Sequence, residues 1–204
     1  DPDNAMGLPG YSHFLLVMGR LNEALAKSER AMELDPYNIR TQSFHAQVLY
    51  HARRFDEAIA LAREVLAAQP NNGVARSALM DSLFMKEMHD ELLTMERERW
   101  GKDPDLANAL EHGFAEAGFT EVEKRLADVL AARYGRPGSV TGYTLANSYA
   151  RAGDIERVIE WLGKAYEEHD NNITYIGANP HFDLVHSDPR FQDLARRVGV
   201  RIRE

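Results

Sequence analysis

Hydrophobic residues recur along the chain with the spacing of helices that are buried on one face. Near the middle, Val122, Leu126, Val129 and Leu130 follow the i, i+4, i+7, i+8 spacing of a single apolar stripe. Alternating apolar and polar runs, which would indicate half-buried strands, are missing from the sequence. The pattern therefore predicts an all-α protein.

Prolines divide this helical pattern at a constant interval. Pro2, Pro36, Pro70 and Pro104 follow one another every 34 residues. They stand in the turn-forming stretches DPDN, DPYN, QPNN and DPDL, where a proline ends one helix and can begin the first turn of the next. A fixed period of this length is typical of stacked helix–turn–helix units, none of which is stable alone.

The residues between the prolines repeat a second pattern, seen in GRLNEALAKSERAMELDP and in RRFDEAIALAREVLAAQP. Each begins with a polar turn and a large apolar residue, Leu21 or Phe55. Each then has a small residue, Ala24 or Ala58, where two helices are expected to cross closely.

Asn22 and Asp56 follow the large apolar residues, and we expect them to cap the helix starts by accepting hydrogen bonds from backbone N–H groups. The motif and the period together resemble the second helix of a tetratricopeptide repeat (TPR) unit. The resemblance implies a right-handed α-solenoid of about five helix hairpins with a C-terminal capping helix.

Later copies of the motif are looser. EMHDELL at 87–93 keeps the turn, GFTEVEKRLADVL at 118–130 has one residue deleted, and GDIERVIEWLGKAYEEHD at 153–170 is again close to type. We therefore expect a repeat array over residues 1–170. Its units are predicted at about 5–36, 37–70, 71–103, 104–136 and 137–170.

Residues 171–204 depart from the repeat and are predicted to be a capping segment. Phe191, Leu194 and Val198 face one way along a final helix, and Gly199 is a suitable stop. The stretch NPHFDLVHSDPRFQDLARRVGV looks like a tail found after TPR regions of large bacterial regulatory proteins. These include winged-helix transcription regulators, class III adenylate cyclases and some serine/threonine kinases.

This resemblance implies a non-catalytic scaffold that binds a protein or a peptide. It would be the interaction or regulatory arm of a larger bacterial signalling protein, and its partner could be its own upstream effector domain. Two alternatives stay open, a self-association module and a small-molecule sensor that controls a transcription or cyclase effector. A cytoplasmic location is expected, with the periplasm as the other option.

The start of the chain carries its own expectation. The register places Pro2 where a previous helix pair would end, so we interpret the sequence as a fragment of a longer protein or as a mature start after processing. Gly7, Pro9 and Gly10 interrupt the first helix, which is expected to begin near Leu8 or Pro9.

Composition removes several classes of function. The net charge of −8 argues against a broad surface for nucleic acid or anionic lipid, and the absence of Cys excludes disulfides and Cys-based zinc sites. No apolar run approaches the ~18 residues of a membrane span. Arg196, Arg197, Arg201 and Arg203 form a basic end, which we interpret as the polar outer side of the cap rather than a nucleic-acid site.

Motifs for chemistry are also missing. The 8 histidines show neither HExxH nor an i, i+4 pair, and the sequence has no phosphate-binding loop and no GxSxG elbow. We therefore expect no metal, no cofactor and no enzyme activity. One irregularity is left open: Glu96 and Arg99 stand where apolar residues are expected, as a break in the superhelix or as a charged pair that bridges helices.

The TPR resemblance implies a peptide-binding concave face on the first helix of each pair. The Lys residues of a clamp for C-terminal carboxylates are missing from this face, so that subtype is rejected. The predicted peptide-binding residues are Arg40, Ser43, Phe44, Gln47, Tyr50, His51, Ser77, Asp81, Phe84, Tyr143, Asn147 and Arg151.

Overall fold

The structure, a computed structural model, describes residues 7–202, with the side chains of residues 114–117 left out. Over this part of the chain every regular element is helical, and within each of the two compact units described below neighbouring helices pack together. The prediction of an all-α fold of helical hairpins is confirmed. The α-helices are α1 Leu8–Val17, α2 Leu21–Leu34, α3 Ile39–His51, α4 Phe55–Ala68, α5 Gly73–Met85, α6 His89–Trp100, α7 Pro104–Ala117, α8 Phe119–Ala132, α9 Gly142–Arg151, α10 Ile155–Glu167 and α11 Pro189–Val198.

The chain divides into two compact units, which we call unit 1 and unit 2. Unit 1 ends at Met88, and unit 2 runs from His89 to Ile202. The predicted boundaries of the individual repeats stay predictions. The expectations placed on Pro2 and on Arg203 fall outside the described residues. None of the helices described reaches the length and apolarity that a membrane crossing requires.

Unit 1 is built from α1 to α5. The first helices of its hairpins form one layer, because α1 packs on α3 and α3 packs on α5. The second helices, α2 and α4, pack against the first helices on either side of them in sequence. The predicted first helix is confirmed at Leu8, with Pro9 in its first turn, where a missing N–H costs nothing.

The turns around the prolines start the helices of unit 1. The side chain of Asn38 accepts a 3.0 Å hydrogen bond from the N–H of Arg40, and that of Asn72 accepts one of the same length from the N–H of Ala75. Each asparagine thereby satisfies a backbone donor that the first turn of a helix leaves open. The last residue of the DPYN and QPNN turns is thus the cap of α3 and of α5.

The predicted caps at Asn22 and Asp56 are wrong. α2 begins at Leu21 and α4 at Phe55, so both side chains lie one residue inside the helix, beyond the capping position. Neither helix start has a side-chain cap.

Unit 2 contains α6 to α11. α7 and α8 are joined by Gly118 alone, whose φ of 78° is in the left-handed region that favours glycine. The two helices cross closely at Gly113, where an added Cβ would lie 2.9 Å from the Cα of Val122. These two glycines explain how the shortened fourth motif still forms a tight hairpin.

The capping segment, residues 171–202, packs on α9 and α10. It contains two 3₁₀ helices, Asn171–Tyr175 and Pro180–Val185, followed by α11. Its own side chains Phe182 and Phe191 are fully buried, and Gly199 ends α11 in the left-handed conformation with a φ of 81°. The predicted final helix and its stop at Gly199 are confirmed, and its role as a cap stays a prediction.

The basic end is largely engaged by its own surroundings. Arg196 pairs with Asp193 at 3.0 Å, and the guanidinium of Arg197 lies 4.4 Å from the ring centroid of Tyr166. These contacts fit the interpretation of this end as the polar outer side of the cap.

Candidate functional site

A row of polar side chains crosses the first helices of unit 1. His13, Gln47 and Asp81 hold the same register position on α1, α3 and α5, since each is 34 residues from the next. The Nδ1 atom of His13 lies 3.3 Å from Oε1 of Gln47, in a hydrogen bond that joins α1 to α3. The 34-residue period therefore places hydrogen-bonding groups in line along one layer of helices.

An aromatic ring and a cation stand beside this row. Phe44 is half-buried and meets the ring of His13 edge to face, with 5.1 Å between the ring centroids. The guanidinium of the exposed Arg40 lies 5.7 Å from the centroid of Phe44, within range of a cation–π contact. We call these residues, with those of α5 named below, the inner surface: His13, Arg40, Phe44, Gln47, Ser77, Asp81 and Phe84.

Burial lowers the pKa of His13 from its usual 6.5, and the hydrogen bond with Gln47 offsets part of that effect. The imidazole is therefore neutral at physiological pH. The row then offers a ligand neutral hydrogen-bonding groups at His13 and Gln47, with a carboxyl at Asp81.

The predicted site residues of α5 also belong to this surface. Ser77 is exposed, and Asp81 and Phe84 are half-buried. Because α5 packs directly on α3, these side chains continue the surface that begins at Phe44 and Gln47.

Three predicted site residues of α3 lie in the core instead. Ser43, Tyr50 and His51 are buried, and the hydroxyl of Ser43 donates a 2.6 Å hydrogen bond to the backbone oxygen of Ile39. Tyr50 packs in a cluster with Ala58 of α4. These side chains are on the sides of α3 that neighbouring helices cover, so a ligand cannot reach them while α3 is in place.

The chain's own capping segment already covers the two predicted site residues of α9. The Nδ2 group of Asn179 donates to the hydroxyl of Tyr143 at 2.8 Å and to Oδ1 of Asn147 at 3.3 Å. The ring of Phe182 meets that of Tyr143 edge to face at 5.6 Å. Sequence patterns did not identify Asn179 as a residue that contacts α9.

Arg151, the last predicted site residue, belongs to a buried ionic cluster in unit 2. Its guanidinium lies 3.7 Å from the carboxylate of Glu96 and 3.6 Å from that of Glu123. The side chain of Arg151 is 10% exposed, and those of the two glutamates are 4% and 2% exposed. Charges removed from water to this degree must be paired, so this cluster ties α6, α8 and α9 together.

The irregular Glu96 is thereby explained. It bridges helices, which was one of the two readings left open by the sequence, but its partner is Arg151. The guanidinium of Arg99 instead lies 4.4 Å from the ring centroid of Trp100.

Comparison with known proteins identifies the repeat. The family model for the tetratricopeptide repeat matches residues 15–90, which include α2, α3, α4 and α5 in full. No curated protein matches the chain. Tetratricopeptide repeats in general mediate protein–protein interactions, and the family is typically a non-catalytic scaffold. Residues 15–90 of this chain therefore form a tetratricopeptide repeat domain.

Proposed function

We propose that the chain is a scaffold that binds a protein segment or peptide on the inner surface of unit 1. The observation that carries the proposal is the row of His13, Gln47 and Asp81 in one register position, beside the half-buried ring of Phe44. Polar groups repeated at a fixed interval can bind the backbone of a peptide, while an aromatic ring and Arg40 select its side chains.

The spacing of the row suggests the form of the ligand. Packed helices lie about 8–10 Å apart, and an extended peptide advances about 3.3 Å per residue. Consecutive polar groups of the row would thus meet every third residue of an extended peptide. A carboxyl at Asp81 and a guanidinium at Arg40 favour a ligand with a basic residue at one end and an acidic residue at the other.

The wider role rests on the C-terminal tail and its likeness to bacterial multidomain regulators. In that context the chain would be the interaction or regulatory arm of a cytoplasmic signalling protein. The bound segment would then come from a separate partner or from an upstream effector domain of the same protein.

The sensor alternative has one feature in its favour, a depression of about 400 Å³ in unit 2 beside Tyr134 and Glu168, which is within the size range of ligand sites. The other hollows support it less. A pocket of about 270 Å³ in unit 2, beside Trp100 and Arg133, is smaller than the roughly 300–1,000 Å³ of typical ligand sites. A depression of about 710 Å³ is lined by the six consecutive residues 69–74, and a single turn encloses a ligand poorly.

The test is selection of displayed random peptides on the whole chain, followed by calorimetry with synthetic copies of the selected peptides. The double variant with Phe44→Ala and Gln47→Ala should bind the selected peptides at least about tenfold more weakly, because the proposal places both side chains against the ligand. Tyr37→Ala is the matched control, since Tyr37 is fully open to solvent on a turn of the same unit. Peptides that bind the Phe44→Ala, Gln47→Ala variant as tightly as the natural chain would show that the site lies elsewhere.

A further inference from the structure

One helix of unit 1 has an apolar side that nothing in the described chain covers. Tyr11, Phe14 and Met18 are 45%, 54% and 46% exposed, and their i, i+3, i+7 spacing puts them on one side of α1. We call these three residues the outer face of α1. Three large apolar side chains in one row exceed the scattered exposure that any surface shows.

In the next two repeats, the residue that corresponds to Tyr11 is at least half-buried. Tyr11 corresponds in the 34-residue register to His45 on α3 and to Leu79 on α5. Leu79 is buried, and His45 is half-buried with its Nδ1 2.9 Å from the hydroxyl of Ser28 on α2. The position that is open on α1 is thus in contact with the preceding hairpin on α3.

The second position behaves in the same way. Phe14 corresponds to Val48 on α3 and to Ser82 on α5, and both of these are fully buried. α3 packs on α2, and α5 packs on α4. A residue at this register position is therefore buried where the second helix of the preceding hairpin packs on its helix. The outer face of α1 therefore continues an interface that unit 1 already forms twice.

The structure also shows the chemistry of the helix that fits. α2 buries the small residues Ala24, Ser28 and Ala31, at i, i+4 and i+7. In the same register, α4 buries Ala58, Ala62 and Val65. Small side chains let the backbones approach closely, so a large residue such as Tyr11 or Phe14 fills the space between the helices.

We propose that the outer face of α1 is a stacking surface for one further helical hairpin of the same repeat type, held in the 34-residue register. The second helix of that hairpin presents small residues at i, i+4 and i+7 to Tyr11 and Phe14. This inference concerns a surface different from the inner surface and is independent of peptide binding.

The experiment supplies such a hairpin from the chain itself. A copy of residues 35–68, fused directly before residue 1, preserves the register and brings the copied Ala58 and Ala62 in front of α1. Hydrogen exchange of the α1 amides, compared between the fused and the natural chain, should slow by roughly tenfold or more in the fusion.

A substitution distinguishes specific stacking from a general effect of added length. Phe14→Lys should leave the urea midpoint of the natural chain almost unchanged, since an exposed ring is replaced, and should lower that of the fusion and cancel its added protection. The control is Tyr37→Lys, made in the fusion only at the original Tyr37 and not in the added copy. It should leave the urea midpoint of both proteins unchanged.

Two results would overturn the inference. One is a fusion without specific stacking, shown either by α1 amides that exchange as fast as those of the natural chain or by an equal effect of Phe14→Lys in both proteins. The other is a natural chain that light scattering finds to be a dimer and that Phe14→Lys converts to a monomer, because a second copy would then cover the outer face.

Discussion

Asn179 joins the capping segment to α9 through a 2.8 Å hydrogen bond from its Nδ2 group to the hydroxyl of Tyr143. The oxygen of the same amide accepts a 3.1 Å hydrogen bond from the N–H of His181 and thereby caps the second 3₁₀ helix, Pro180–Val185. One buried amide therefore starts a helix and attaches it to its neighbour.

We predict that Asn179→Ala lowers the free energy of unfolding of unit 2 by about 1–3 kcal/mol, because it leaves buried polar groups without their partner. Urea denaturation followed by the fluorescence of the buried Trp161 measures the loss. Asn171→Ala is the matched control, since Asn171 is exposed in the same segment. An equal effect of the two substitutions would argue against the role given to Asn179.

For the ionic cluster of Arg151, Glu96 and Glu123 we predict a larger loss of stability than for Asn179. Arg151→Met should destabilise unit 2 by about 3–5 kcal/mol, because the carboxylates of Glu96 and Glu123 remain buried without their cation. The same urea titration measures it, and Arg157→Met, at an exposed ion pair with Glu160, should cost less than about 1 kcal/mol.

A second substitution tests the charge itself. Glu96→Gln added to Arg151→Met removes one of the two buried negative charges, so the double variant should recover part of the lost stability. If the double variant is no more stable than Arg151→Met alone, the loss comes from packing and the electrostatic explanation is wrong.

Replacement by alanine should have opposite effects on the stability of unit 2 at two of its glycines, Gly177 and Gly163. A Cβ at Gly177 would lie 2.1 Å from the backbone oxygen of Arg201, so Gly177→Ala should destabilise unit 2 by about 1–3 kcal/mol. A Cβ at Gly163, within α10, meets nothing within 4 Å, and Gly163→Ala should stabilise by about 0.5–1 kcal/mol. Thermal unfolding of the two variants gives the signs directly.

Unit 1 should lose stability as the pH falls below 6.5. Burial lowers the pKa of both His13 and His45 from 6.5, an effect that nearby Glu29 opposes at His45. Between the lowered values and 6.5 the unfolded chain binds more protons than the folded one, so acid favours unfolding. This contribution is complete above pH 6.5 and declines below it.

Hydrogen exchange of the α3 amides between pH 7.5 and pH 5.5, corrected for the intrinsic rate, measures this dependence. The double variant with His13→Asn and His45→Gln should show a flatter response, since neither new side chain titrates. A response as steep as that of the natural chain would assign the pH dependence to other groups.

Local sequence signals predicted the helices well because the information for them is local. Each proline turn, the stripe from Val122 to Leu130 and the stop at Gly199 act within a few turns of helix, and the 34-residue spacing of the prolines repeats the same local signal. The surface was harder to predict, because the side of a helix that stays open depends on which neighbours pack on it. Tyr50 and Phe44 are both on α3, and only the packing of α4 and α5 decides that one is buried and the other half-exposed.

The contacts of Arg151 and Asn179 could not be derived from the repeat at all. A repeat pattern describes what each hairpin shares with the next, whereas the contacts of these two side chains depend on residues that the repeat does not specify. Glu96 was the available signal, since an acidic residue at a packing position requires a cation nearby.

The two ends of the helical array differ in how much apolar surface they expose. α11 packs on α10, whereas the outer face of α1 keeps three large apolar side chains exposed. Gene duplications that add 34-residue units ahead of α1 would leave every internal interface intact, and insertions after α10 would have to displace Phe182 and Phe191 from their sites. Under the stacking proposal, a further repeat is therefore accommodated more easily ahead of α1 than after α10.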